Sequence, residues 1–120
     1  MRVTMLFVLA VVAGCSRAPN GPAEPGSVVS LTVASADVRA GAARIVWRVR
    51  AGVRGTYLVQ RRLDGAPWKR LAYLDVDPES HLVLEDGSVQ PGARYAYRVR
   101  VAVEPEPVFA GEVAVEVPAQ

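Results

Sequence analysis

Cysteine and histidine are nearly absent from this chain of 120 residues, which has one of each, Cys15 and His81. A single cysteine excludes an internal disulfide, so a folded domain must be stabilised by its core alone. His81 belongs to no recognisable Ser-His-Asp or Cys-His arrangement, and the chain lacks the ligands of a usual zinc site. No carboxylate pair is expected to meet in a cleft. The sequence therefore predicts a non-enzymatic protein with no catalytic residue, cofactor or metal.

The chain also lacks long runs of charge of either sign. Its 14 Lys and Arg residues and 12 Asp and Glu residues are dispersed, and the formal net charge is +2. Nucleic-acid binders usually cluster their basic residues on one segment or face. The sequence therefore predicts no nucleic-acid partner.

A long apolar run is missing as well. After Met1 and Arg2, the apolar stretch Val3–Val12 ("VTMLFVLAVV") has ten residues, whereas a spanning helix needs roughly 20. A short positive start, an apolar segment and the small residues Ala13 and Gly14 are typical of an export signal. We expect residues 1–14 to be a signal peptide rather than a permanent membrane span.

The stretch "VAGC", Val12–Cys15, resembles the lipobox of bacterial lipoproteins. The resemblance implies cleavage before Cys15 and attachment of a diacylglyceryl group to its sulfur, often with an acyl chain on its amine. Two or three acyl chains hold a protein durably on a bilayer. Ser16 stands where some Gram-negative lipoproteins carry an Asp retention signal, so the resemblance favours the outer membrane over the inner membrane. An ordinary secretory signal with a chance cysteine is the alternative.

The segment after the cysteine, "SRAPNGPAEPG", has three prolines and two glycines and no apolar period. Such a composition is typical of an extended linker, and in the polyproline II limit its eleven residues would reach roughly 34 Å. We therefore expect residues 15–26 to be a lipidated cysteine followed by a tether.

From Ser27 onward the apolar residues alternate with a period of two, as in β-strands. In "RYAYRVRVAV", for example, Tyr95, Tyr97 and Val99 fall on one face and the arginines on the other. The predicted strands are 28–35, 44–50, 56–63, 68–74, 81–85, 94–103 and 112–117. Seven short strands without a helical stretch predict an all-β fold, a seven-stranded antiparallel β-sandwich.

The pattern resembles a fibronectin type III or immunoglobulin-like domain over residues 27–118, with residues 119–120 as a tail. The resemblance depends on Trp47 in the second strand, Tyr57 in the third, and "VQPGARYAYRVRV" at Val89–Val101. In that family a tyrosine opening the sixth strand forms the tyrosine corner. The resemblance implies that role for Tyr95, with Tyr97 continuing the inward face.

Three groups of side chains are candidates for binding. Asp75, Asp77 and Glu79, with Glu85 and Asp86 nearby, offer oxygen ligands for calcium, although a solvated acidic turn is the favoured interpretation. Arg62, Arg98 and Arg100 should face outward, where Glu112 and Glu116 on the last strand are expected to neutralise them. Trp68, Tyr73 and Phe109 are candidates for a sugar-binding platform, or for ordinary packing.

Together these features predict a lipoprotein of the bacterial cell envelope that displays a non-catalytic sandwich for protein binding or envelope structure. Its partners would be the membrane, through the lipid on Cys15, and an envelope protein. The alternative is an accessory domain that binds carbohydrate or peptidoglycan. A sheet edge that accepts a partner's strand is one expected mode of contact.

Overall fold

Alternating apolar residues build the sheets of this protein, as the strand Arg94–Ala102 shows. Tyr95, Tyr97, Val99 and Val101 are buried, whereas the residues between them are half-buried. Side chains of successive strand residues point to opposite faces, so this alternation places one apolar face against a core. The computed structural model describes residues 30–119.

The described chain forms seven strands: β1 (Leu31–Arg39), β2 (Ala42–Val49), β3 (Thr56–Leu63), β4 (Lys69–Asp75), β5 (His81–Asp86), β6 (Arg94–Ala102) and β7 (Val108–Glu116). One sheet has the order β1-β2-β5 and the other β4-β3-β6-β7, with every pairing antiparallel. The predicted seven-stranded antiparallel β-sandwich is confirmed. The fourth strand pairs with β3, whereas constant-type immunoglobulin domains place it on the opposite sheet.

The N-terminal predictions concern a part of the chain that lies outside the described residues. This applies to the signal segment 1–14, to the tether 15–26 and to Cys15 itself. Within residues 30–119, no helix is long and apolar enough to cross a membrane.

The last strand is longer than its sequence indicates, because β7 begins at Val108 rather than at residue 112. The sequence pattern places Gly111 at the end of a proline-rich loop. In the structure, Val113 pairs with Tyr97 and Ala110 with Val99, so two residues of β7 oppose one residue of β6. Gly111 has φ +67°, and this β-bulge lets the strand continue through a backbone conformation that glycine adopts without steric cost.

The core between the sheets is centred on Trp47, which is fully buried. Its indole Nε1 donates a hydrogen bond of 2.8 Å to the Gly111 carbonyl oxygen, so β2 of one sheet is joined to the bulge of the other. Tyr97 is also fully buried. Tyr57 is half-buried against this core, and its hydroxyl donates to the Arg54 carbonyl at 3.5 Å.

The strand register defines two ends of the sandwich. At the near end, β1 begins and Leu31 lies opposite Val49. At the far end, Ala43 lies opposite Asp86, and Arg94 lies opposite Glu116. With about 3.3 Å per strand residue, the nine residues of β1 separate the two ends by roughly 26 Å.

Candidate binding surface

A buried carboxylate organises the far end of the sandwich. Asp86, 5% exposed, is the one buried charged residue of the described chain. Its Oδ2 accepts hydrogen bonds from the Tyr97 hydroxyl and from Arg61 Nη1, each at 2.7 Å. Its Oδ1 accepts from the Ser88 hydroxyl at 2.7 Å and from the Ser88 amide at 3.1 Å. Four donors from three elements therefore satisfy a charge that would be costly to bury alone.

The proton affinities of this network follow from its geometry. Burial raises the pKa of Asp86, but the hydrogen bonds from Ser88, Tyr97 and Arg61 outweigh it, and the net pKa lies below the ordinary value. Burial also raises the pKa of Tyr97, and its bond to Asp86 raises that pKa further. Burial lowers the pKa of Arg61, whereas the bond to Asp86 raises it, with a net increase. Asp86 and Arg61 are thus an ion pair at neutral pH.

The β5–β6 corner is held by a second tyrosine. The hydroxyl of Tyr95, which is 5% exposed, accepts a hydrogen bond of 2.9 Å from the Gln90 amide. A tyrosine near the start of the sixth strand that bonds the backbone a few residues upstream is the contact that defines a tyrosine corner. The guanidinium of Arg61 lies 5.0 Å from the centre of the Tyr95 ring, so corner and buried ion pair support each other.

Beside this network lies a cleft with a volume of about 400 Å³. Four cations line it, Arg61 and Arg62 from β3 with Lys69 and Arg70 from β4. No Asp or Glu lines it among the residues that the structure describes. We name this feature, defined by these four cations, the basic cleft.

The remaining walls of the basic cleft are both polar and apolar. Ser88, Gln90 and Tyr95 form its polar wall, and apolar residues of the β3–β4 hairpin form the rest: Leu63, Ala66, Pro67 and Leu71. Leu63 is 48% exposed, one of the large apolar side chains that the fold leaves open to solvent. The cleft can therefore bind an anion that also carries apolar groups.

Next to the basic cleft, arginines and aromatic rings alternate on the outer face of the four-stranded sheet. The guanidinium of Arg98 lies 4.2 Å from the centre of the Trp68 ring and 3.6 Å from that of Phe109. The guanidinium of Arg62 lies 4.8 Å from the Trp68 ring, and Arg98 Nε donates to Gln60 Oε1 at 2.8 Å. We call Arg62, Trp68, Arg98 and Phe109 the arginine–aromatic stack. Such cation–π contacts fix long side chains on a sheet surface.

The outward arginines do not form the predicted ion pairs with the glutamates of β7. Glu116 pairs with Arg94 instead, at 3.4 Å. Within residues 30–119, none of Arg62, Arg98 and Arg100 forms an ion pair. Burial lowers the pKa of Arg98, Glu112 raises it, and the charge of Arg62 lowers it again, with a net decrease. The positive charge of this face is therefore only partly compensated.

The predicted aromatic platform is not assembled as an open surface. Trp68 and Phe109 come together, but both are half-buried and Arg98 lies against both rings. Tyr73, 58% exposed, is not part of the stack. A sugar platform requires an uncovered ring face, and the arrangement favours the packing role.

The acidic turn brings together a different set of side chains from the predicted one. Asp77, Glu79 and His81 have their ligand atoms within 4.8 Å of one another. Asp77 Oδ1, however, accepts from the amides of Glu79 at 2.8 Å and His81 at 2.9 Å, which closes the turn. Asp75 accepts from the Thr56 hydroxyl. Asp77 therefore has a structural role in closing the turn, in agreement with the favoured interpretation.

The two other carboxylates expected near that turn lie elsewhere. Glu85 binds Arg44 Nε at 2.9 Å across the β2–β5 pair, and Asp86 is buried at the far end. A sequence signal for the role of Asp86 is present in "DGS" at Asp86–Ser88, because an Asp two residues before a Ser often accepts from that residue's amide. Its bonds to Arg61 and Tyr97 depend on the pairing of three strands, which a local motif does not show.

Comparison with known proteins gives a likeness in fold only. No protein-family model matches the chain, and no curated protein matches it. Among solved structures, pectate lyase PelI from Erwinia chrysanthemi, in complex with tetragalacturonic acid, is similar with a TM-score of 0.54 and 20% sequence identity. The match covers 70% of this chain and 27% of the lyase chain. At this identity, what the two proteins share is the β-sandwich.

Proposed function

We propose that this protein is a lipoprotein of the bacterial cell envelope that holds a non-catalytic, fibronectin type III-like β-sandwich near a membrane to bind a partner. Lipid on Cys15 would confine the domain to the surface, with the outer membrane favoured. The tether of residues 15–26 would give it reach. The short apolar segment, the small residues before Cys15 and the proline-rich sequence after it support the anchor.

The observation that carries the binding role is the basic cleft. The cleft combines four cations with a polar wall and exposed apolar surface. It lies at the far end of the sandwich, and the length of a strand separates it from the start of β1. Small-molecule and peptide sites commonly combine apolar walls with a few fixed polar groups. Neither this cavity nor the smaller one beside it, lined by Arg62, Asp64 and Glu112 among others, includes His81. The basic cleft, which no Asp, Glu or His lines among the described residues, therefore offers a ligand positive charge and apolar surface.

Carbohydrate binding is the second candidate. Hydroxyl and amide groups of Ser88 and Gln90 line the basic cleft, and its cations would suit a carboxylated sugar. The similar lyase was solved with an acidic oligosaccharide, tetragalacturonic acid. The contacts of Arg62 and Arg98 with Trp68 weigh against this candidate, since they reduce the ring surface open to sugar.

The anchor is tested in intact cells that express a tagged protein at native level. The wild type should sediment with membranes and yield a lipid-modified N-terminal peptide, and Cys15→Ala should lose both properties. Ser16→Ala is the matched control, because it changes the neighbouring residue and keeps the thiol. A wild type found in the soluble fraction without lipid would refute the anchor.

Cross-linking in the same cells tests the partner. The wild type should capture a defined envelope protein, and Cys15→Ala should capture much less of it because the domain is no longer confined to the membrane. Recovery of envelope glycan without a protein would favour the second candidate. Failure to capture either would contradict the display role.

A further inference from the structure

The charge of the basic cleft is unbalanced. Of its four cations, Arg61 is paired with Asp86, and the other three form no ion pair within the described part of the chain. Like charges that line one concave surface raise its potential and attract an anion. Arg61 is bound to Asp86 and Arg62 lies against Trp68, but the charges of Lys69 and Arg70 have no ion-pair partner within residues 30–119.

Arg61 is also fixed in place. Its Nη1 donates to Asp86 Oδ2 and to the Ser88 hydroxyl, each at 2.7 Å, and its side chain is 25% exposed. A guanidinium has five N–H donors in a planar fork, and these described bonds use Nη1 alone. The buried pair therefore holds a partly exposed guanidinium ready to bind an oxyanion, with little loss of side-chain freedom.

The walls of the cleft indicate which oxyanion fits. Leu63 and Leu71 line the same cavity as the cations, whereas a free phosphate ion requires no apolar wall. A sugar would use an open ring face, but Tyr95, the one aromatic residue of the described chain that lines the cleft, is 5% exposed and has the Arg61 guanidinium 5.0 Å from its ring centre. A peptide that alternates carboxylates with apolar side chains matches both components of the lining.

The position of β4 at the edge of its sheet also favours a peptide as the ligand. β4 pairs with β3 on one side only and is the outermost strand of its sheet. Lys69, Arg70 and Leu71 belong to this strand and also line the cleft. An extended peptide that leaves the cleft can thus continue along β4 through main-chain hydrogen bonds.

We propose that the basic cleft binds an acidic, extended peptide segment of the partner, with Arg61, Lys69 and Arg70 contacting its carboxylates. This proposal rests on the proposed function and identifies the chemistry of the partner. The cleft lies at the far end of the sandwich, so the partner segment approaches from the side opposite the start of β1.

The test measures binding of a fluorescent ten-residue peptide of alternating Glu and Leu by anisotropy, with the full chain in detergent micelles. We expect saturable binding that weakens as salt increases, because exposed charge pairs are screened. The double variant Lys69→Gln, Arg70→Gln should weaken binding about tenfold. Both residues are exposed and form no ion pair within residues 30–119, so the fold should persist.

The matched control is Arg48→Gln, Arg50→Gln, which removes the same charge from exposed positions at the near end. It should change the affinity by less than about twofold. Equal weakening in the two double variants would show a general attraction to a basic protein and would overturn the proposal. Tighter binding of an oligogalacturonate with the same number of carboxylates would overturn it in favour of a glycan. Displacement of the peptide by millimolar inorganic phosphate at constant ionic strength would overturn it in favour of a small anion.

Cross-linking in cells separates failure of this proposal from failure of the proposed function. If Lys69→Gln, Arg70→Gln captures the envelope partner as well as the wild type does, while Cys15→Ala does not, the display role holds and the cleft is not the site. Loss of the partner in both variants supports both proposals. If the wild type captures no partner, the display role fails irrespective of peptide binding in micelles.

Discussion

Replacing Gly111 by alanine should weaken the sandwich at the point where the two sheets are joined. An alanine Cβ at this position would lie 2.5 Å from Leu31 Cδ2, 2.6 Å from Trp47 Cδ1 and 2.7 Å from Trp47 Nε1. These distances are far inside van der Waals contact, and the indole is fully buried in a core of the close packing that is general in protein interiors. Gly111 also has φ +67°, which disfavours any residue with a Cβ.

The expected loss has three parts. A left-handed backbone costs a non-glycine residue about 1–2 kcal/mol, and overpacking of a core costs about 1–3 kcal/mol. Displacing the indole also weakens its 2.8 Å bond to the Gly111 carbonyl, worth about 1 kcal/mol. These terms are not independent, so we expect Gly111→Ala to lower the free energy of unfolding by roughly 3–4 kcal/mol.

Urea unfolding followed by tryptophan fluorescence measures this loss, and two other glycines separate its causes. Gly65 has φ +83°, and a methyl group added there would meet nothing within 4 Å. Gly65→Ala should therefore cost only the backbone contribution, about 1–2 kcal/mol. Gly87 has neither a left-handed backbone nor a neighbour within 4 Å of an added methyl group. Gly87→Ala should therefore leave the free energy of unfolding nearly unchanged. Equal losses for Gly111→Ala and Gly65→Ala would refute the crowding of Trp47.

Three further predictions concern the far end. Asp86→Asn should cost about 3 kcal/mol at pH 7 because Arg61 loses its anion. The difference from the wild type should shrink in acid unfolding, since a depressed carboxyl pKa gives stability that is present above the unfolded value near 4 and is lost as pH falls through the folded value. Tyr97→Phe should cost about 1 kcal/mol and raise the pKa of Asp86 in an NMR titration, and an unchanged pKa would contradict the bond. Tyr95→Phe should speed hydrogen exchange of the Gln90 amide and cost about 1 kcal/mol, whereas unchanged exchange would contradict the corner.

Much of the fold is encoded in the two-residue period of the sequence. β3 has the predicted bounds, 56–63, and β6 differs from its prediction by one residue. β7 is less predictable because Gly111 resembles a strand breaker in its local sequence. Its place in a bulge depends on the residues of β6 that it faces and on Trp47 from the other sheet, and neither is near it in sequence.

The binding surface is less accessible to sequence reasoning than the fold. The outward faces of Arg62 and Arg98 follow from alternation, but their contacts with Trp68 require β3, β6 and the start of β4 to be adjacent. Proximity in sequence groups Asp86 with the acidic turn, because only five positions separate it from His81. Those positions belong to an extended strand, which carries Asp86 to the opposite end of the sandwich.

The opposite placement of the first and last strands has a mechanical consequence. β1 begins at the near end and β7 finishes at the far end, so in the proposed lipoprotein tension between the anchor and a partner held at the far end would act along the strands. Hydrogen bonds of antiparallel pairs are perpendicular to the strands, and such a force loads them in shear, all at once, instead of unzipping them one by one. Under the proposed function, the domain would thus resist a pulling force between the membrane and its partner.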